Sequence, residues 1–239
     1  MRQKRELFVD ATNKGLNQAI KSNYIDCVKL LLEHDSSTIN NREPSAGCAP
    51  LHQAVLCGHM ECIHFLINKG ADINLVTLAQ NTLLHCAANH NQTECLSYFI
   101  PLLRHHINSK NSDGHSPLMC AIERGSSLCA TLLIQENANI NIGDNHNQTA
   151  LHFAASKNLP EMIKVLIQHG ADANCVTHTD FIVNNNNYGL YTPLHVAAHF
   201  GNIKALDALL QHGADTTLKT QTGKTAFELL VETLVKKRR

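Results

Sequence analysis

Cysteine and histidine are the residues with the widest chemical reach in this chain: nine of one and sixteen of the other in 239 residues. Together they could ligate a metal, close disulfides or furnish a thiolate–imidazole nucleophile. Their spacing argues against all three. Cys27, Cys62, Cys95 and Cys129 follow one another at 35, 33 and 34 residues, and His52, His85, His152 and His195 fall at one position of a recurring motif. Copies at that interval in a layered helical protein lie about one layer, roughly 10 Å, apart. A disulfide needs Cα atoms within about 7 Å, and metal ligands must be closer still. The cysteines therefore read as a column of small buried apolar side chains in a reducing compartment. The histidines read as helix caps. No CxxC pair, HExxH helix, phosphate-binding loop or dinucleotide-binding glycine pattern is present. The residues predict no catalytic group, no metal and no cofactor.

The elements that position these residues begin with Thr192-Pro193-Leu194-His195-Val196-Ala197-Ala198. Threonine before proline reads as an N-cap followed by the first helical residue. A histidine three residues after the cap can exchange hydrogen bonds with it, as the acid of a capping box does. The leucine of this motif recurs as Leu16, Leu51, Leu84, Leu118, Leu151 and Leu194, with Phe227 last, in steps of 35, 33, 34, 33, 43 and 33. Between two short helices of each copy stand Asn23, Gly58, Asn91, Gly125, Asn158 and Gly201. Glycine and asparagine tolerate the left-handed conformation, so all six predict one tight turn.

A period near 33 with T-P-L-H-x-A at each start, and Gly70-Ala71-Asp72, Gly170-Ala171-Asp172 and Gly213-Ala214-Asp215 at the ends, resembles the ankyrin repeat. The resemblance covers nearly the whole chain. It implies an all-α fold: an ankyrin-repeat solenoid of stacked helix-turn-helix units with hairpin loops, about six repeats plus a C-terminal capping helix. The expected single domain, 1–239, divides into an N-terminal cap (1–46), repeats at 47–79, 80–113, 114–146, 147–189 and 190–222, and a C-terminal cap (223–239). Met119 replaces the motif histidine in the fourth unit, and Glu228 does so in the last. Pro101 predicts a kink or early stop in the second helix of the third.

Lysine plus arginine and aspartate plus glutamate balance at 20 each, so no broad cationic field awaits a nucleic acid. No apolar run approaches the roughly 18 residues that span a bilayer. The chain is expected to be a cytoplasmic monomer with no nucleic acid or membrane partner. The basic end, Lys236-Lys237-Arg238-Arg239, leaves a nuclear location open.

The resemblance implies a non-enzymatic module that binds another protein through its concave face and hairpin fingers. Carried over, that face comprises Cys48, Leu56 and Cys57; Asn81, Asn89 and His90; His115, Glu123 and Arg124; Gln148, Ser156 and Lys157; Tyr191, His199 and Phe200; and Leu75, Val76 and Leu78 of the third hairpin. Residues 175–191 form a finger ten residues longer than the other hairpins. Its Phe181, Tyr188 and Tyr191, beside Asn184 to Asn187, suit an interface that enriches aromatic anchors among adaptable polar groups. The competing account has Phe181-Ile182-Val183 folding back over the fifth and sixth repeats. The alternative function, drawn from the high asparagine content, is a secreted effector, or a fragment of a larger enzyme, that captures a host protein in the host cytosol. Asn74, Asn141 and Asn174 each follow a leucine by eight residues, which resembles sites of asparaginyl hydroxylation in ankyrin repeats. The plainer account is that they hydrogen-bond the turn.

Overall fold

A computed structural model describes residues 13–178, 182–183, 186–187 and 189–237. Its contacts gather into two units, Met1–Ser112 and Asp113–Arg239. In the first, helical residues 13–21 (α1) and α2 (Ile25–His34) precede a 3-10 turn, Ser36–Asn40. Then come α3 (Pro50–Cys57), α4 (Met60–Asn68), α5 (Leu83–Asn89), α6 (Thr93–Leu102) and a second 3-10 turn, Arg104–His106. The second unit holds α7 (Pro117–Glu123), α8 (Ser127–Gln135), α9 (Ala150–Ser156), α10 (Pro160–Gln168), α11 (Pro193–Phe200), α12 (Ile203–Gln211) and α13 (Ala226–Lys237). First helices pack on first helices, α3 on α5 and α7 on α9, then α11 and α13. The fold is the all-α repeat expected. The finger adds a short antiparallel ribbon, β1 (Ile182–Val183) with β2 (Asn186–Asn187), paired Ile182 to Asn187 and Val183 to Asn186.

The motif leucines form the core because each lies between first and second helices. Leu16, Leu51, Leu84, Leu118, Leu151 and Leu194 are all buried. Phe227 breaks the series at 43% exposed, while Ala226 and Leu229 of α13 are buried. Cys27 breaks the cysteine column in the same way. It is exposed, whereas Cys62, Cys95 and Cys129 are buried. Both departures have one cause: α2 and α13 are outer layers with a neighbour on one side only among the described residues.

The turn between paired helices is left-handed in every copy: Asn23, Gly58, Asn91, Gly125, Asn158 and Gly201 have φ of 56°, 75°, 55°, 72°, 55° and 68°. Pro101 does not shorten its helix, because α6 runs to Leu102 and the proline occupies its last turn. What changes is the exit, where a 3-10 turn at Arg104–His106 replaces the Gly-Ala-Asp ending.

A second left-handed position lies at each hairpin tip, two residues before the cap. Gly47, Gly114 and Gly223 occupy it, but so do Gln80, Asn147 and Leu190, with φ of 58°, 61° and 59°. Left-handed backbone costs a non-glycine residue about 1–2 kcal/mol, against about 0.5–1 kcal/mol of extra unfolded-state entropy for glycine. Gln80 is exposed, so its side chain offsets little of that cost. Gln80→Gly should raise stability by about 0.5–1 kcal/mol. Chemical denaturation showing equal or lower stability would contradict the strain.

Candidate functional site

The motif histidines do more than cap. The Nδ1 of His52, His85, His152 and His195 accepts the backbone N–H of Ala49, Thr82, Thr149 and Thr192 at 3.1–3.2 Å. An accepting Nδ1 places the imidazole proton on Nε2. From there His52 donates to the Leu75 carbonyl and His152 to the Tyr191 carbonyl, both at 3.0 Å. Each ring therefore ties a helix start to the following hairpin. His195 Nε2 is buried without a hydrogen-bond partner, facing the carbonyls of Leu218 and Lys224 without reaching bonding geometry. Burial pushes the His52 and His152 imidazoles down to about 4. In the fourth unit Met119 offers only its sulfur to Ser116 N–H, at 3.5 Å. In the last, Glu228 Oε2 accepts both Thr225 N–H and its hydroxyl at 2.7 and 2.9 Å, which holds the carboxyl below its usual range.

The hairpins close by a repeated pair of bonds. Thr77 N–H donates to Asn81 O while Thr77 Oγ1 accepts Asn81 N–H. Thr220 does the same with Lys224, and Thr177 with Tyr191. Thr177 and Tyr191 are 14 residues apart, where Thr77 and Asn81 are four. The ten extra residues of the finger are thus an extension of the hairpin tip beyond an unchanged base.

That base corrects the reading of Tyr191 as an exposed anchor. Tyr191 is 4% exposed, and its carbonyl holds both Thr177 and His152. A residue directly before the N-cap has its backbone committed and its side chain drawn against the helix start: the Tyr191 ring lies 5.7 Å from that of His195 and 6.0 Å from that of His199. Leu75 is half-buried, and its carbonyl is engaged by His52. Phe181 and Tyr188 lie outside the described residues.

The structure brings much of the remaining set together. In the first unit Cys48, Leu56, Asn81, Asn89, His90 and Leu78 line one groove of about 250 Å³, joined by Ser45, Ala46, Thr77, Ala79 and Cys86. Leu78 stands at this groove 61% exposed. In the second unit His115 Nδ1 lies 3.5 Å from Glu123 Oε2 and its Nε2 3.7 Å from Asp144 Oδ2, with the ring edge-on to Phe153 at 4.9 Å. Asp144 is buried and accepts the N–H groups of His146 and Gln148, as well as the Gln148 amide. Arg124 and Lys157 are exposed, and Ser156 turns its hydroxyl back to the Phe153 carbonyl.

Tyr191 and His199 share a cleft of about 440 Å³ with Thr222, Lys224, Leu229, Glu232, Thr233, Lys236 and Lys237. Phe200 is exposed nearby, its carbonyl accepting from Lys237 Nζ at 3.0 Å. Burial and the Lys236 charge lower the His199 imidazole. Residues of α13 were absent from the sequence-derived set. The basic run that ends α13 is their signal, which by itself fits a capping helix with a basic end or a localisation element.

The hairpin asparagines divide. Asn141 and Asn174 accept the backbone N–H of Asp172 and Asp215, at 3.0 and 2.8 Å, so each bridges to the next hairpin. Asn40 does this for Asp72. Asn74 takes part only through its backbone, which donates to Asp72 Oδ1 at 2.8 Å. Chemistry finds little to work with. Cys175 Sγ stands 3.8 Å from His152 Nδ1, yet burial raises the thiol to about 11 while the imidazole is lowered to about 4, and Nδ1 is already engaged by Thr149. That is the reverse of an activated pair.

These elements match the family description "Ankyrin repeats (3 copies)" over residues 5–77, 84–177 and 142–220, and "Ankyrin repeats (many copies)" over 58–100. The chain is a member of the ankyrin-repeat family. It is 31% identical to human inversin over 139 residues, 57% of this chain and 13% of that protein. It is 26% identical to the palmitoyltransferase AKR1 of Lachancea kluyveri over 161 residues, 66% of this chain and 22% of that one. It is 32% identical to the chicken (Gallus gallus) nuclear factor NF-kappa-B p105 subunit over 136 residues, 54% and 14% of the two chains. The chain thus spans well under a quarter of these relatives. Among solved structures it is similar to the human ASB11 ankyrin repeat domain, with TM-score 0.74, 25% identity and coverage of 92% and 96%. It shares its fold with the Bcl-3 ankyrin repeat domain, with TM-score 0.68, 22% identity and coverage of 92% and 97%. Ankyrin repeats are protein–protein interaction modules, and the family matches together span residues 5–220 of this chain.

Proposed function

We propose that this chain captures a protein partner on the hairpin side of its helices, without catalysis, and that the groove between the second and third hairpins is a principal contact. The observation that carries this reading is Leu78. It is 61% exposed beside a groove walled by Cys48, Leu56, Ala46, Ala79 and Cys86, while the leucines of the adjoining helices α3 and α5 are buried or half-buried. An exposed large apolar side chain at the mouth of a small apolar depression suits a protein contact, where a few anchors carry most of the energy.

Leu78→Glu tests the reading. Leu78 is too exposed for the change to disturb the core, so melting should be unchanged. Proteins captured by the wild-type chain from extract should be lost from the variant. They should be kept by a control variant, Ser97→Glu, on an exposed position of α6. Capture equal in all three would remove the groove from the interface.

A further inference from the structure

A cluster of three cations lies in the first unit, where the sequence alone shows nothing unusual. Residues Asn13, Lys14, Asn17, Gln18 and Lys21 of α1 meet Arg42, Glu43, Pro44 and Ser45 around a cavity of about 540 Å³. Lys14, Lys21 and Arg42 have no ion-pair partner among the described residues, whereas Lys29 faces Asp26 and Glu61, and Lys224 pairs with Glu232. Glu43, the carboxylate among the described lining residues, is hydrogen-bonded by the Ser45 hydroxyl. Among the described residues three cations thus stand against one partly occupied acid, in a protein whose formal net charge is zero. The cavity is a local field rather than part of a general one.

We infer that this cavity docks an acidic, extended segment of a protein partner. The inference rests on the partner-binding reading above, and Ser45 lines both this cavity and the Leu78 groove. Among the described residues that line it, only Pro44 has an apolar side chain, whereas small-molecule pockets are lined mostly by apolar groups. Lys14 and Lys21 are seven residues apart, two helical turns, so they share one face of α1 about 10 Å from each other. One compact anion cannot sit at both. Alternate side chains of an extended chain lie about 6.8 Å apart on one side, so a short run of acidic residues reaches across that distance and on to Arg42. The carboxamides of Asn13, Asn17 and Gln18 also line the cavity: Asn13 accepts from Asn41 and Gln18 donates to Ser22, while Asn17 Oδ1 is buried without a partner among the described residues, an acceptor left for a passing backbone N–H. Among the described residues, no aromatic side chain lines the cavity on which a nucleic-acid base could stack.

The test uses the full chain and a fluorescein-labelled peptide bearing one leucine followed by a glutamate run. A glutamine-for-glutamate peptide, inorganic phosphate and a single-stranded oligonucleotide serve as alternative probes. The glutamate peptide should bind. Its Kd should rise about tenfold or more when ionic strength goes from about 0.1 M to about 1 M, which shortens the screening length from about 10 Å to about 3 Å. The triple variant Lys14→Gln, Lys21→Gln, Arg42→Gln changes only exposed positions and should melt as the wild type, yet lose about tenfold or more in affinity. A control variant, Lys164→Gln, should lose nothing. No binding of the glutamate peptide would overturn the inference. So would equal binding of the glutamine peptide, equal affinity of the triple variant, or binding of the oligonucleotide or phosphate at the expense of the peptide. The Leu78→Glu experiment is independent of these arms, so the cavity can fail while the groove stands.

Discussion

His152→Ala should cost about 2–4 kcal/mol of stability, although the ring touches no ligand. Its removal strips Thr149 N–H of the Nδ1 acceptor in a site where Thr149 is buried, and takes one of two donors from the Tyr191 carbonyl. A buried polar group left unpaired costs about 1–3 kcal/mol, and the vacated ring adds a cavity. The effect should depend on pH in a determined direction. In the folded chain burial lowers the imidazole to about 4, below its ordinary 6.5. Protonation therefore favours the unfolded chain. The histidine's contribution is whole above about pH 6.5 and is lost progressively as pH falls toward 4. The stability gap between wild type and variant, measured by denaturant unfolding, should narrow over that window. A gap constant from pH 7 to 4 would show that the ring does not sit neutral between cap and hairpin.

Leu151→Ala should cost about 2–5 kcal/mol. Leu151 is 1% exposed in α9, which packs against α7, α10, α11 and α12. With neighbours on several sides the surroundings have little freedom to collapse into the space, which places the loss toward the upper part of the range. The same change at Phe227, 43% exposed, should cost far less although it occupies the same motif position. A loss under about 1 kcal/mol at Leu151 would mean that the repeat register is wrong.

Those two residues also mark what the sequence reveals and what it hides. Leu151 and the six turn residues were legible because their requirements are local: a buried apolar helix position and a left-handed φ that glycine and asparagine tolerate. Periodicity assigns every copy the same surroundings, so the exposure of Phe227 in the C-terminal cap is not written in it, and Cys27, read as part of a buried column, is exposed where α2 lacks one neighbour among the described residues. The type and repeat position of Tyr191 point to an exposed anchor, whereas hydrogen bonds to residues 14 and 39 positions away decide its burial. The groove partners Cys48, Leu56, Asn81, Asn89 and His90 followed from the repeat register. The cation cavity did not, since Lys14 and Lys21 reach Arg42 only through the way α1 meets the link after the first 3-10 turn. The lysines of α13 were visible as a run, but their place beside Tyr191 and His199 depends on packing against α11.

On the reading proposed above, the partner sits on the hairpin side at the Leu78 groove. A photoreactive phenylalanine analogue placed singly at positions 78, 90 and 97, followed by irradiation in extract and mass spectrometry, tests it most directly. The account predicts one protein crosslinked from both 78 and 90, at neighbouring peptides, and none from 97 on α6. Crosslinks to a common protein from 97, with none from 78 or 90, would contradict it.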